Sequence, residues 1–173
     1  MRELSIRDAT VEDVPALALL RWDFRSEHGD VHPDASFEGF ADRFRAFAER
    51  TLRDDRWRAV VAAREGRLVG SMWLQLVPKV PAPPSARGEL IGYVTNAYVV
   101  PEEREAGVGA LLLERLVAIA RGLPVEFLMT WPTERSEPFY ERSGFRRSQG
   151  VWERYLIQDP YGTWANEPVP TEE

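Results

Sequence analysis

The chain has 173 residues, enough for one domain with a buried core. Hydrophobic residues make up 44% and charged residues 29%, which excludes a disordered chain, and no apolar run reaches the ~18 residues of a membrane span. The absence of cysteine excludes disulfides, cysteine metal sites and a thioester on the protein itself, while the net charge of −6 argues against a nucleic-acid partner and leans toward a cationic one.

The segment Met1 to Arg7 lacks the apolar stretch of a secretory signal, so a cytoplasmic protein is expected. A short strand opens at Ile6. Thr10 with Asp13 three residues on forms a capping-box pattern, and Val14, Leu17, Leu20 and Phe24 follow at helical spacing. The pattern breaks from Arg25 to Ala35, which holds both histidines, Gly29 and Pro33, and predicts a loop. Phe37, Phe40, Phe44 and Phe47 make one apolar face of a second helix reaching about Leu52, and this stripe reads as core rather than pocket. Trp57 to Ala63 and Leu68 to Val77 read as a hairpin around Arg64-Glu65-Gly66-Arg67. A proline-rich surface loop, 78–88, leads to a strand from Leu90 to Val100. A helix from Val108 to Arg121, a strand from Val125 to Trp131, a short helix from Ser136 to Ser143 and a last strand from Val151 to Ile157 complete the order, with a further short strand entertained at Phe145 to Ser148. The reading is one mixed α/β (α+β) domain, 1–158, followed by an acidic tail, 159–173.

The chemistry concentrates between Asn96 and Leu113. A strand ends at Pro101, a short loop carries Gly107 and Gly109, and an amphipathic helix begins at once. The first N–H groups of a helix have no internal partner, the helix dipole favours negative charge there, and glycine lets a phosphate approach the backbone. Arg104 adds a charged donor at the rim. A tight turn without a ligand would leave the same local pattern. It is not a dinucleotide fingerprint, because Leu112 stands where the third glycine belongs, and no Walker-type Lys-Ser/Thr follows.

Arg104-x-x-Gly107-x-Gly109-Ala110, with Val99-x-Pro101 ahead of it, resembles the Arg/Gln-x-x-Gly-x-Gly/Ala signature of the GNAT superfamily of acyl-CoA-dependent N-acyltransferases. Phe139-Tyr140-Glu141-Arg142-Ser143-Gly144-Phe145 resembles the superfamily's second recurrent block, and the element order matches over residues 4 to 157. The resemblance implies a mixed central sheet splayed at the cofactor cleft and flanked by helices. It implies acetyl-CoA as co-substrate, with backbone contacts from Ala97, Tyr98 and Val99 to the pantetheine arm. It also implies a pyrophosphate held by amides of Glu105, Ala106, Gly107, Val108, Gly109 and Ala110. Glu102, Glu103 and Glu105 depart from the basic or small residues of many relatives, and must point away if the cradle is to work.

Acetyl transfer to an amine needs a neutral nucleophile, a polarised carbonyl and a proton for the leaving thiolate. The resemblance makes Tyr140 the candidate acid. Glu89, ahead of a strand bordering the site, is the candidate base, although a water chain serves many relatives. His28, Asp30 and His32 lie in a loop that lines the acceptor pocket in relatives, and Tyr93 and Trp131 are candidate pocket walls that would suit a cationic amine. No metal site is expected. The acceptor is expected to be a small-molecule amine, such as an antibiotic, a polyamine or an amino-acid-like metabolite. The alternatives are a protein N-terminus or lysine, and a non-catalytic acyl-CoA-binding regulatory domain. The resemblance also allows a homodimer.

Overall fold

The computed structural model describes residues 3–81, 83 and 88–148. The expected last strand, 151–157, and the tail, 159–173, lie outside them. Five strands are ordered β1-β2-β3-β4-β5: β1 Leu4–Asp8, β2 Trp57–Arg64, β3 Arg67–Pro78, β4 Leu90–Val99 and β5 Val125–Met129. Neighbours are antiparallel except β4 and β5, which are parallel. The β2–β3 hairpin turns where expected, with Glu65 (φ 52°) and Gly66 (φ 80°) both left-handed, as a two-residue turn of matching twist requires.

Helix α1 (Val14–Glu27) is entered through a single 3₁₀ turn, in which the Thr10 N–H donates to Asp13 Oδ2 at 2.8 Å. It takes in the first three residues of the expected loop, Arg25 to Glu27, because nothing before Gly29 (φ 70°) breaks a helix. Helix α2 (Phe37–Thr51) starts at Ser36, whose Oγ accepts from the Gly39 N–H at 3.2 Å. Its phenylalanine stripe meets tryptophans: ring centroids of Phe44 and Phe47 lie 6.3 and 6.0 Å from that of Trp73 on β3. Helix α3 (Val108–Arg121) takes the other face, since a Cβ on Gly70 would meet Leu112 at 3.2 Å and Gly70 and Trp73 are an odd number of residues apart in one strand. Trp73, Leu17, Met72, Leu74, Leu112 and Leu116 are fully buried between these layers. Helix α4 (Glu137–Arg142) is short, and Phe145 to Ser148 forms no strand; instead the Phe145 N–H closes α4 on Tyr140 O at 3.0 Å.

The sheet does not stay whole. β4 pairs with β5 only through Leu90, Ile91, Gly92 and Tyr93. On its other side β4 carries one extra residue between the Ser71↔Tyr98 and Trp73↔Thr95 pairs, with Asn96 at φ 49°. A bulge bends the bulged strand and increases its twist. β4 therefore leaves β5 beyond Tyr93, and β5 ends at Met129, two residues short of the expected Trp131.

Candidate active site

The parting of β4 and β5 opens a cleft of about 1160 Å³, lined by β4 from Tyr93 to Val99, by α1, by the loop and first turns of α3, and by α4. The backbone of β4 is aimed into it. The Val100 N–H donates to Val69 O on β3 at 3.0 Å, so alternation turns the N–H and C=O of Val99 toward the split. The Val99 carbonyl accepts from Arg104 Nε at 2.9 Å, which ties the glycine loop to the end of β4.

That loop is an anion nest. Glu105 (φ 64°) and Gly107 (φ 79°) are left-handed around Ala106, and Val108, Gly109 and Ala110 open α3 with N–H groups that precede its first internal bond, Leu111 N–H to Gly107 O at 3.1 Å. A Cβ on Gly107 would meet nothing within 4 Å, so its glycine serves conformation. A Cβ on Gly109 would touch Phe139 at 3.5 Å, an ordinary contact, so what it would crowd is the approach to the amides. The departures from the family pattern resolve geometrically. Glu102 is held by Arg67 at 2.7 Å and Glu103 by Arg64 at 2.8 Å, both from the β2–β3 hairpin. Glu103 and Glu105 both line the cleft, Glu103 with its carboxylate on Arg64 and Glu105 among the exposed residues. These residues fit a CoA pyrophosphate and pantetheine arm.

Arg104 does more than supply a rim donor. Its Nη2 lies 2.7 Å from Glu27 Oε2 on α1, and its guanidinium stands 5.5 Å over the Tyr98 ring. The Tyr98 hydroxyl donates to the same carboxylate. Burial, and then the bond to Glu27, push the Tyr98 hydroxyl pKa well up. Burial pushes Glu27 up, but the hydrogen bonds from Tyr98 and Arg104 outweigh it and hold the carboxyl below its ordinary value. The Tyr98 side chain is thus a clamp between α1 and β4, while the alternation that turns Val99 into the split turns the Tyr98 N–H and C=O toward Ser71 on β3, against the expected contact to the arm.

Of the other expected residues, Tyr140 lines the cleft and is 6% exposed; burial raises its hydroxyl pKa, offset in part by a hydrogen bond with the Thr130 side chain. Tyr93 and Trp131 meet edge to face at 4.7 Å and form a wall. His28 lines the cleft, with Nδ1 2.8 Å from Phe24 O. Three residues fall outside the lining. Glu89 is exposed at the paired end of β4, with four paired residues between it and the split. Asp30 turns back to Arg25 at 3.0 Å, and His32 is exposed in the loop, where its Nδ1 accepts the Asp34 N–H at 3.2 Å. Ala106, at the crest of the nest, also lies outside the lining residues. Sequence reasoning missed Arg21, Glu27 and the Asn96 bulge. Arg21 had a signal: spacing from Leu17 and to Phe24 places it on the apolar face of α1.

The comparisons with known proteins agree with this geometry. Residues 16–145 match the model of the Acetyltransferase (GNAT) family. The chain belongs to the GNAT acetyltransferase family. Within it, the chain is 36% identical over 81 residues, 47% of its own length, to a glucosamine 6-phosphate N-acetyltransferase of Trypanosoma brucei brucei, of which the match spans about half (52%). The structure of a Trypanosoma brucei acetyltransferase is similar at a TM-score of 0.65 and 26% identity, covering 91% of this chain and 99% of that one. The crystal structure of a predicted acetyltransferase with acetyl-CoA from Clostridium acetobutylicum shares the fold at a TM-score of 0.74 and 19% identity, covering 89% of this chain and 97% of that one. Among the described residues of this GNAT chain no helix is long and apolar enough to cross a membrane.

Proposed function

We propose that the protein transfers the acetyl group of acetyl-CoA directly to the nitrogen of a small-molecule amine. The observation that carries this reading is the coincidence, in one cleft, of the anion nest at Glu105–Ala110, the inward-facing backbone of Val99 and the buried Tyr140. Acetyl-CoA supplies an activated thioester carbonyl. The nest amides and the helix dipole hold the pyrophosphate, and the Val99 N–H is placed to polarise the carbonyl oxygen. Nitrogen–carbon bond formation releases one proton from the amine, and cleavage of the carbon–sulfur bond requires one at the leaving sulfur. Tyr140, with its pKa raised by burial, stays protonated at neutral pH and can deliver that proton. The chain has no cysteine, so no acyl-enzyme through sulfur intervenes. Glu89 touches no reacting atom in this reading, and a water in the open cleft takes the amine proton.

A protein lysine or N-terminus is the competing acceptor. The wall of Tyr93 and Trp131 and the flanking α1 side chains support the small molecule, because they bring an aromatic surface and a few polar groups together on one part of the cleft. The sugar phosphate named for the trypanosomal relative falls within the proposed substrate class. CoA release measured over a panel of amines and of lysine peptides tests the reading. Turnover of small amines supports it; acetyl-CoA binding with no CoA release from any amine overturns it in favour of a regulatory domain.

A further inference from the structure

The α1 side of the cleft is cationic, against the acidic balance of the whole chain. Arg21 and Arg25 line it from successive turns of α1, Arg25 with Asp30 at 3.0 Å, and His28 lines it from just past the end of the helix. Four carboxylates also line the cleft: Glu27, Glu103, Glu105 and Glu114. Glu27 is taken by Arg104 and Tyr98, and Glu103 by Arg64. Glu105 and Glu114 belong to the loop and helix of α3, on the opposite face of the sheet from α1.

Arg21 is the unusual member. It is half-buried on the apolar stripe of α1, and among the described residues it has no carboxylate partner. One of its five donors is used, Nη1 to Asn96 Oδ1 at 3.1 Å, and its guanidinium lies 5.3 Å over the Phe24 ring. A guanidinium taken out of water without a counter-charge is costly, and arginine is the side chain best shaped to grip a phosphate or carboxylate with two parallel bonds. Burial, and then repulsion from Arg25, lower its hold on its own proton, and the attraction of Asp30, whose carboxylate is bonded to Arg25, offsets this only in part. Asn96 fixes it at the bulge where the sheet parts, beside Tyr93 and within the cleft.

Resting on the transferase reading above, we propose that Arg21 receives an anionic group of the acceptor, so that the substrate is an amine bearing a phosphate or a carboxylate. The aromatic wall of Tyr93 and Trp131 then packs on the carbon skeleton rather than on an ammonium.

The test compares matched pairs: glucosamine 6-phosphate with glucosamine, and alanine with alaninamide, with spermidine as the cationic control. The wild type is expected to prefer the anionic member of at least one pair by tenfold or more in kcat/KM. Which pair responds separates a phosphate from a carboxylate. In Arg21→Gln that preference falls by about tenfold to hundredfold through KM, the scale of a hydrogen bond between charged partners. Arg21→Lys keeps the charge, loses the fork and retains part of the preference, and it carries the comparison if the glutamine variant does not fold. With CoA at saturation, so that the nest is already filled, inorganic phosphate or acetate should raise the melting temperature of the wild type and not of Arg21→Gln. Equal use of neutral or cationic amines overturns the proposal. So does an Arg21→Gln loss that is the same for both members of each pair, which would make Arg21 only a brace for Asn96. If acetyl-CoA binds and no amine is acetylated, the transferase reading fails, and anion protection by phosphate or acetate still decides the role of Arg21.

Discussion

At the scale of single residues, the site divides into groups that shape the backbone and groups that carry protons or charge. Gly107 belongs to the first. At φ 79° in open space, Gly107→Ala keeps the volume available but strains the nest, costing about 1–2 kcal/mol measured by denaturant unfolding. Gly109→Asp instead sets a carboxylate at the amides that face the pyrophosphate. It should weaken acetyl-CoA binding at least tenfold in calorimetry while leaving the fold intact; unchanged affinity would relocate the cradle. Tyr140 belongs to the second group. Tyr140→Phe removes the proposed acid and should lower kcat by about a hundredfold, the lower range for general acid catalysis. Its pKa is raised above the ordinary 10.0, so the wild-type rate should hold through neutral pH and fall only above about pH 10, a limb that the phenylalanine variant lacks.

At the scale of elements, the Glu27–Arg104–Tyr98 clamp joins α1, the glycine loop and β4. The Glu27 carboxyl is held below its ordinary 4.5, so it binds fewer protons folded than unfolded there. Its contribution is therefore fully present above about pH 4.5 and is lost as the pH falls through the depressed value. Glu27→Gln should cost about 1 kcal/mol at neutral pH, after allowance for partial solvent screening, and should flatten this acid limb in thermal melts. Trp73 shows the opposite economy: it is 2% exposed, packed by Phe44, Phe47 and Trp57, and its Nε1 has no hydrogen-bond partner among the described residues. Sequence reading reached the boundaries that carry a capping or turn residue of fixed chemistry, Thr10–Asp13, Glu65-Gly66 and Gly107 among them. It placed the ends of α1 and β5 wrongly because neither is set locally. Helix α1 continues for want of a breaker, and β5 stops because β4 leaves it.

At the scale of the whole molecule, the geometry of the glycine loop was legible because its requirements are local: two glycines, a helix start and a strand end within one run of residues. The acceptor side was not, since Arg21 and Asn96 are 75 positions apart and meet only when α1 crosses the bulge. The same holds for Glu102 and Glu103, whose partners sit on a hairpin more than thirty positions upstream. Acetyl-CoA at a hundredfold excess over its Kd should stabilise the protein by about 2.7 kcal/mol, a rise of roughly 5–10 °C in melting temperature for a chain of this size. The parted sheet gives that stabilisation a location. Beyond Tyr93, β4 has among the described residues a neighbour on one side only, so the amides of Ala97 and Val99 are there those of an edge strand. An extended, amide-bearing arm laid along it would act as the strand the protein itself does not provide. Hydrogen exchange at these two amides should then be fast in the free protein and slow once the arm is in place, the outcome expected of a co-substrate that completes the sheet.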